Sequence, residues 1–179
     1  MRILSLWLIL FAPAVQAKSS LQDSFWGLAA KDAGINVVTL YSIAVQETGM
    51  RWRDGSFRPW PWTLYVNNGK NIIKPGPRRY SDQQEAIKAL TSMMNNGITN
   101  VDVGLMQVNL QYHGYRVKSP VSLLDPATNI AVAAAYLKEL NHQNMIETVS
   151  NYHAPSNPKK GIEYAKHVAR FEGVIGENK

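Results

Sequence analysis

One stretch of this chain cannot be helical. Between Arg51 and Arg79 lie four prolines (Pro59, Pro61, Pro75 and Pro77), and each removes a backbone donor and clashes with a preceding helical turn. Inside it, Trp62-Thr63-Leu64-Tyr65-Val66 is aromatic and β-branched and is followed by the turn residues Asn67-Asn68-Gly69. This predicts a strand, a turn and a short return strand over Asn71 to Lys74, a small hairpin inserted between helices. Elsewhere the apolar residues keep helical spacing. Ser20 precedes Leu21, Phe25, Leu28 and Ala29, and Gly34 closes that helix near Ala33. Asn36 caps a second helix with Leu40, Ile43, Ala44 and Glu47 on one face and Gly49 as its stop. Ser81-Asp82-Gln83-Gln84 opens a third through Ala86, Leu90 and Met93 to Asn96-Gly97. Asp125-Pro126 starts a fourth through Ile130, Ala134, Leu137 and Leu140, and two more are expected over about Gln143 to Tyr152 and Gly161 to Glu172. The expected fold class is α+β, mostly α, with a β-hairpin insertion over residues 51–80.

The first seventeen residues have a different character. Arg2, the apolar run Ile3 to Ala12, and Val15-Gln16-Ala17 have the layout of a secretory signal peptide cleaved after Ala17; the apolar run is too short for a membrane helix, which needs about 20 such residues. The expectation is a mature single domain over residues 18–179, exported to a periplasm, monomeric and without a membrane span. The chain of 179 residues contains no cysteine, which excludes a disulfide framework, a thiolate nucleophile, a cysteine zinc site and a lipid anchor on Cys. His113, His142, His153 and His167 form no HxxxH or HExxH pattern, and no Gly-x-Ser-x-Gly is present. No metal and no cofactor are therefore expected. The net charge of +6 has a location: Arg51 to Arg79 holds seven basic residues and one acid, while the rest of the mature chain is nearly neutral. Basic plus aromatic also describes a nucleic-acid face, but an exported chain argues against nucleic acid as the primary ligand.

Three places carry chemistry. Glu47 completes an apolar helix face at the helix C-terminus, where desolvation and the negative end of the helix dipole both favour its neutral form. A neutral carboxylic acid in an apolar cleft is what a glycosidase uses as general acid. Gly104-Leu105-Met106-Gln107 places a residue permitting close backbone approach beside an amide that both donates and accepts, which suits sugar hydroxyls and N-acetyl groups. Tyr152-His153 ends a helix before Ala154-Pro155 and puts a phenol where it can meet a leaving oxygen or an acetamido group.

Glu47-Thr48, Gly104-Leu105-Met106-Gln107-Val108-Asn109, the helix around Ala133-Ala134-Ala135-Tyr136-Leu137, and Asn151-Tyr152-His153-Ala154 follow one another in an order that resembles the lysozyme-like, soluble-type (family 1) lytic transglycosylases. Those proteins read Glu-Ser, Gly-Leu-Met-Gln and Ala-Tyr-Asn-Ala-Gly along the chain. Here Thr48 replaces Ser and keeps the hydroxyl, while His153 and Pro155 stand where Asn and Gly would be. The Pro-Trp-Pro-Trp insertion, Val101-Asp102-Val103 and the Tyr-His ending resemble the branch associated with conjugation, type IV secretion and pilus machines.

The resemblance implies a lysozyme-like domain that cuts the β-1,4 bond between N-acetylmuramic acid and N-acetylglucosamine in peptidoglycan without water, leaving 1,6-anhydromuramoyl ends. It implies Glu47 as catalytic acid and then base, with Thr48, Gly104, Leu105, Met106, Gln107, Asn109, Tyr152 and His153 in the substrate-binding set. Its partners would be glycan strands and proteins of a secretion or conjugation apparatus. Two rivals stand beside it. A hydrolytic muramidase needs a positioned water, with Asp54 or Asp102 as second carboxylate; a non-catalytic wall-binding module would leave Glu47 facing solvent, with no groove between it and Gln107.

Overall fold

The computed structural model describes residues 21–140 and 144–177, so the expected signal peptide and Ser20 lie outside the described residues. The first helix, α1 (Phe25–Ala33), starts later than expected. A 3-10 turn over Leu21–Asp23 precedes it, and its cap is Ser24, whose Oγ accepts from the Trp26 N–H. Gly34, at φ +69°, ends it as predicted. The buried face is also different from the one the spacing suggested: Gly27, Ala30 and Ala33 point inward, while Phe25 and Leu28 are 66% and 61% exposed. Close approach explains the choice, because a Cβ on Gly27 would sit 2.0 Å from the Gln22 carbonyl. The small-residue face is the one that the 3-10 turn and the later helix α5 (Pro126–Leu140) can reach.

Helix α2 (Val37–Thr48) follows the expected pattern, with Asn36 Oδ1 accepting from Val38 N–H at 2.8 Å and Leu40, Ile43 and Ala44 fully buried. It forms the centre of the molecule, packed against α1 and against α7 (Pro158–Glu177). Gly49 ends it by entering a strand. A side chain there would meet the Val45 carbonyl and the Phe57 ring.

The β structure is larger than a hairpin. β1 (Gly49–Arg51) pairs antiparallel with β2 (Phe57–Pro59), and β3 (Thr63–Val66) pairs with β4 (Gly76–Arg79). The return strand is therefore Gly76–Arg79 and not Asn71–Lys74. Residues 69–73 are used in a turn in which the Ile72 and Ile73 N–H groups both donate to the Gly69 carbonyl and Lys70 and Asn71 take positive φ. The apolar stretch after the third helix, α3 (Gln83–Asn95), supplies β5 (Val101–Val103) and β6 (Val108–Asn109), giving one antiparallel sheet in the order β4-β3-β5-β6. Leu64 lies opposite Val103 and Val66 opposite Val101, all four fully buried. Burial of such side chains, worth about 1.5–3 kcal/mol each, ties the insertion into the main core. Its indoles do the same at the surface: Trp60 packs between Trp52 and Trp62 and donates Nε1–H to the Tyr80 carbonyl at 2.8 Å.

The remaining helices are α4 (Leu110–His113), α5 (Pro126–Leu140) and α6 (Met145–His153). Asp82 caps α3 by accepting from Glu85 N–H, and Asp125 caps α5 by accepting from Thr128 N–H. α7 starts at Pro158, earlier than expected, with Pro at its first position. Gly161 lets it lie against α6, since a Cβ there would be 2.8 Å from the Ser150 carbonyl. The result is an α+β fold dominated by helices, with a cleft lined by the sheet and by residues of α2, α4, α5 and α6. Among the described residues no single helix is long and apolar enough to cross a membrane.

Candidate active site

A cavity of about 630 Å³ opens between the helical and sheet walls, lined among others by Glu47, Asp102, Gln107, Asn109, Tyr152 and His153. A groove therefore does run between Glu47 and Gln107. Glu47 reaches it from the penultimate position of α2, and its side chain retains only 16% exposure. Burial, the largest effect, pushes its pKa from 4.5 up to about 7, and the charge of Asp102 adds to this. The opposing influence is Tyr164, whose Oη donates to Glu47 Oε1 at 2.6 Å. With Oε1 engaged, the proton of neutral Glu47 belongs on Oε2. That is the arrangement of an acid with one oxygen braced and the other available.

Tyr164 was not among the expected site residues. It sits on α7 and is almost fully buried, and burial beside Glu47 pushes its pKa well above 10.0. In sequence it belongs to the apolar face Tyr164, Ala165, Val168, which reads as core; the only available signal is that a tyrosine on such a face needs a partner for its hydroxyl. His153 lies flat on it, with ring centroids 4.2 Å apart and planes 2° from parallel. His153 Nδ1 is 4.0 Å from Glu47 Oε1, and burial followed by the charge of Lys160 lowers its pKa.

The expected binding residues divide into two groups. Gln107, Asn109, Tyr152 and His153 line the cavity with Glu47, whereas Thr48, Gly104, Leu105 and Met106 stand behind it. Thr48 is fully buried, and its Oγ1 donates toward the carbonyls of Leu105 at 2.9 Å and Ala44 at 3.2 Å. It braces the end of α2 against the loop and does not line the cavity. Gly104 is required by φ +78° and by Asn129, since a Cβ there would lie 2.5 Å from Asn129 Nδ2. The close approach in this structure is to the buried Asn129 amide and the Leu123 carbonyl. Asn129 accepts from Met106 N–H at 2.8 Å and donates to the carbonyls of Val103 and Leu123, so the Gly104–Met106 turn is pinned from below.

Tyr152 completes that clamp by donating its hydroxyl to the Met106 carbonyl at 2.7 Å. Gln107 adopts φ +48°, and its Nε2 donates to the Gly104 carbonyl at 2.8 Å and the Thr63 carbonyl at 3.3 Å. Its amide oxygen is the atom left for a ligand donor.

Asp102 and Asp54, the two candidates for a second carboxylate, separate cleanly. Asp54 is exposed in the β1–β2 turn, paired with Arg58 at 2.7 Å and bonded by Ser56, which holds its carboxyl below the usual range. Asp102 lines the cavity, accepting from Asn67 Nδ2 at 2.8 Å and Asn109 Nδ2 at 2.6 Å. Asn109 also caps α4, accepting from the Gln111 and Tyr112 N–H groups. Among the described residues no three His, Cys, Asp or Glu side chains converge as a metal site.

No curated protein and no solved structure matches the chain. The family described as the transglycosylase SLT domain matches residues 24–170, a span that begins at the α1 cap and takes in Glu47, the pinned Gly104–Gln107 turn, Tyr152 and Tyr164. A buried, protonatable carboxyl facing a polar cleft is the chemistry such a family needs, and the chain belongs to the transglycosylase SLT domain family, with an α+β fold of the lysozyme-like kind and activity directed at peptidoglycan.

Proposed function

We propose that the protein is a lytic transglycosylase that cleaves the β-1,4 bond between N-acetylmuramic acid and N-acetylglucosamine with Glu47 as its one catalytic acid and base. Neutral Glu47 donates its Oε2 proton to the glycosidic oxygen, and the C1–O4 bond breaks as the 2-acetamido group of the muramoyl unit stabilises the charge developing at C1. The Glu47 carboxylate, still held at Oε1 by Tyr164, then takes the proton from the C6 hydroxyl as that oxygen bonds to C1. The product is a 1,6-anhydromuramoyl end, and the acid is regenerated without water. In this reading Gln107 accepts from a sugar hydroxyl through its amide oxygen, the Tyr152 oxygen meets the acetamido group, and His153 borders the bond being cut. Thr48, Leu105 and Met106 hold that wall in place.

The observation that carries the reading is Glu47 itself: an acid near neutrality, buried, with one oxygen braced. Mass analysis of digested sacculi tests it. Anhydro-muramoyl ends are expected; reducing ends, one water heavier, overturn it in favour of a muramidase. That second reading has one observation behind it, the presence of Asp102 in the same cavity.

The finer setting belongs to the proposal as well: export through cleavage after Ala17, a periplasmic monomer, and local wall opening for a conjugation, pilus or type IV secretion apparatus. The cationic, Trp-rich insertion and the signal-like N-terminus support it. Export is tested by mass determination of the mature N-terminus, for which Lys18 is expected.

A further inference from the structure

Beyond Tyr152 the cleft continues along residues that the catalytic scheme does not use. Tyr136 lies next to Tyr152, at 5.7 Å between ring centroids, and His113 lies next to Tyr136, at 4.3 Å. Both line the cavity, together with the exposed Tyr112. Behind them stands Arg116, whose guanidinium makes two bonds to the Glu139 carboxylate at 2.7 and 2.6 Å. Its Nε–H donates to His113 Nδ1 at 3.3 Å.

This arrangement sets the chemistry of His113. A guanidinium N–H only donates, so Nδ1 must carry a lone pair, and the ring proton is left on Nε2. Burial and then the charge of Arg116 both lower the pKa of His113, against the opposing influence of Glu139. The imidazole is thus a neutral donor of fixed tautomer. Because Glu139 neutralises Arg116, the cluster offers no net charge to a carboxylate. What it offers is one N–H donor beside aromatic rings, which suits an uncharged carbonyl attached to a C–H-rich face.

We propose that His113, flanked by Tyr112 and Tyr136, is a specificity-determining residue that recognises the acetamido carbonyl of a sugar unit outside the bond being cut. Arg116 is its positioning residue, holding the tautomer. The proposal rests on the reading of this cleft as a glycan site.

The test compares equilibrium binding of N-acetylglucosamine tetramer and cellotetraose, two neutral oligomers that differ by the acetamido groups, to the native protein and to variants. His113→Phe keeps a ring against Tyr136 and removes the donor; it should weaken binding of the N-acetylated tetramer roughly tenfold, the loss expected for one neutral hydrogen bond, and change cellotetraose binding by less than about twofold. His113→Gln, which places an amide N–H where Nε2 stood, should recover most of the lost affinity. Equal losses for both oligomers, no recovery by Gln, or no binding of the acetylated tetramer to the native protein overturns the proposal. Release of anhydro ends from sacculi by the native enzyme, measured alongside, keeps the two readings apart: if it persists, the failure is confined to His113, and if it is absent, the transglycosylase reading fails with it.

Discussion

Glu47 stands on the helical wall of the cleft and Asp102 on the sheet wall, and burial pushes both carboxyls upward. Their hydrogen bonds differ. Asp102 has an amide donor on each oxygen, Asn67 on one and Asn109 on the other, and both bonds favour its charged form. Glu47 has a single phenol donor on one oxygen. The two acids thereby meet different surroundings: two amide donors oppose the upward push of burial on Asp102, whose charge in turn raises the pKa of Glu47, while Glu47 has a donor on one oxygen only.

The largest expected effect tests the helical wall. Glu47→Gln should leave the fold intact and reduce release of anhydro ends by at least about 100-fold, the scale of general acid and base catalysis; retained full activity breaks the comparison at its first term. The same variant has a stability signature. The folded-state pKa of Glu47, about 7, lies above its ordinary 4.5, so the native state binds this proton more tightly than the unfolded chain. The stability it contributes is complete below pH 4.5 and is lost as pH rises through 7, by up to about 3 kcal/mol. Denaturant unfolding of the native protein relative to Glu47→Gln should show that gap developing between acid and alkaline pH.

The seam joining the two walls comes next. Asn129→Ala leaves the Met106 N–H and the Val103 and Leu123 carbonyls without their partner in a buried place, and should cost about 2–4 kcal/mol in unfolding free energy. A smaller effect is expected from the sheet wall. Asp102→Asn removes a negative charge that raises Glu47, so the alkaline limb of kcat/KM should move to lower pH while the rate at the optimum falls by less than about tenfold. A loss as deep as that of Glu47→Gln, with reducing ends in the product, would make Asp102 a second catalytic carboxylate. Tyr164→Phe should move the same limb the other way, because the lost hydrogen bond favoured the ionised acid.

The smallest effect sharpens a second contrast, between the indoles of the insertion and its cations. Trp52, Trp60 and Trp62 pack against one another and their neighbours, whereas Arg79 is exposed and Arg78 donates to the Lys74 and Gly76 carbonyls across the turn. Replacing Arg78 and Arg79 by Ala should weaken sedimentation with sacculi by about twofold to threefold, an effect that fades with added salt as exposed charge interactions do.

Much of the helical framework was readable residue by residue. Asn36 and Asp125 cap where their side chains promised, the cap of α3 falls on Asp82, one residue after the Ser81 of the expected capping box, and Leu40, Ile43 and Ala44 form a buried face that delivers Glu47 into the cleft. Errors arose where a local pattern had two solutions. Leu21, Phe25 and Leu28 have helical spacing, yet the small residues of α1 go inside because only they allow the 3-10 turn and α5 to approach. The strand after Trp62 was legible, but its partners at Gly76–Arg79 and Val101–Val103 were not, since register is settled by which side chains share the core.

What the sequence alone determined is what depends on near neighbours: helix period and caps, the one region from which helix is barred, the place of the concentrated positive charge, and an acid on an apolar face. The tertiary structure alone decided which groups meet that acid. Tyr164 reaches Glu47 across 117 residues, Asp102 enters the cleft because β5 pairs with β3, and Thr48 and Gly104 lie behind the cavity wall and not in its lining. The reason is physical: caps and periodicity act within a turn or two of backbone, whereas the pKa and the free oxygen of Glu47 are set by burial and by donors that only packing of α7 and the sheet against α2 can bring within a few ångströms.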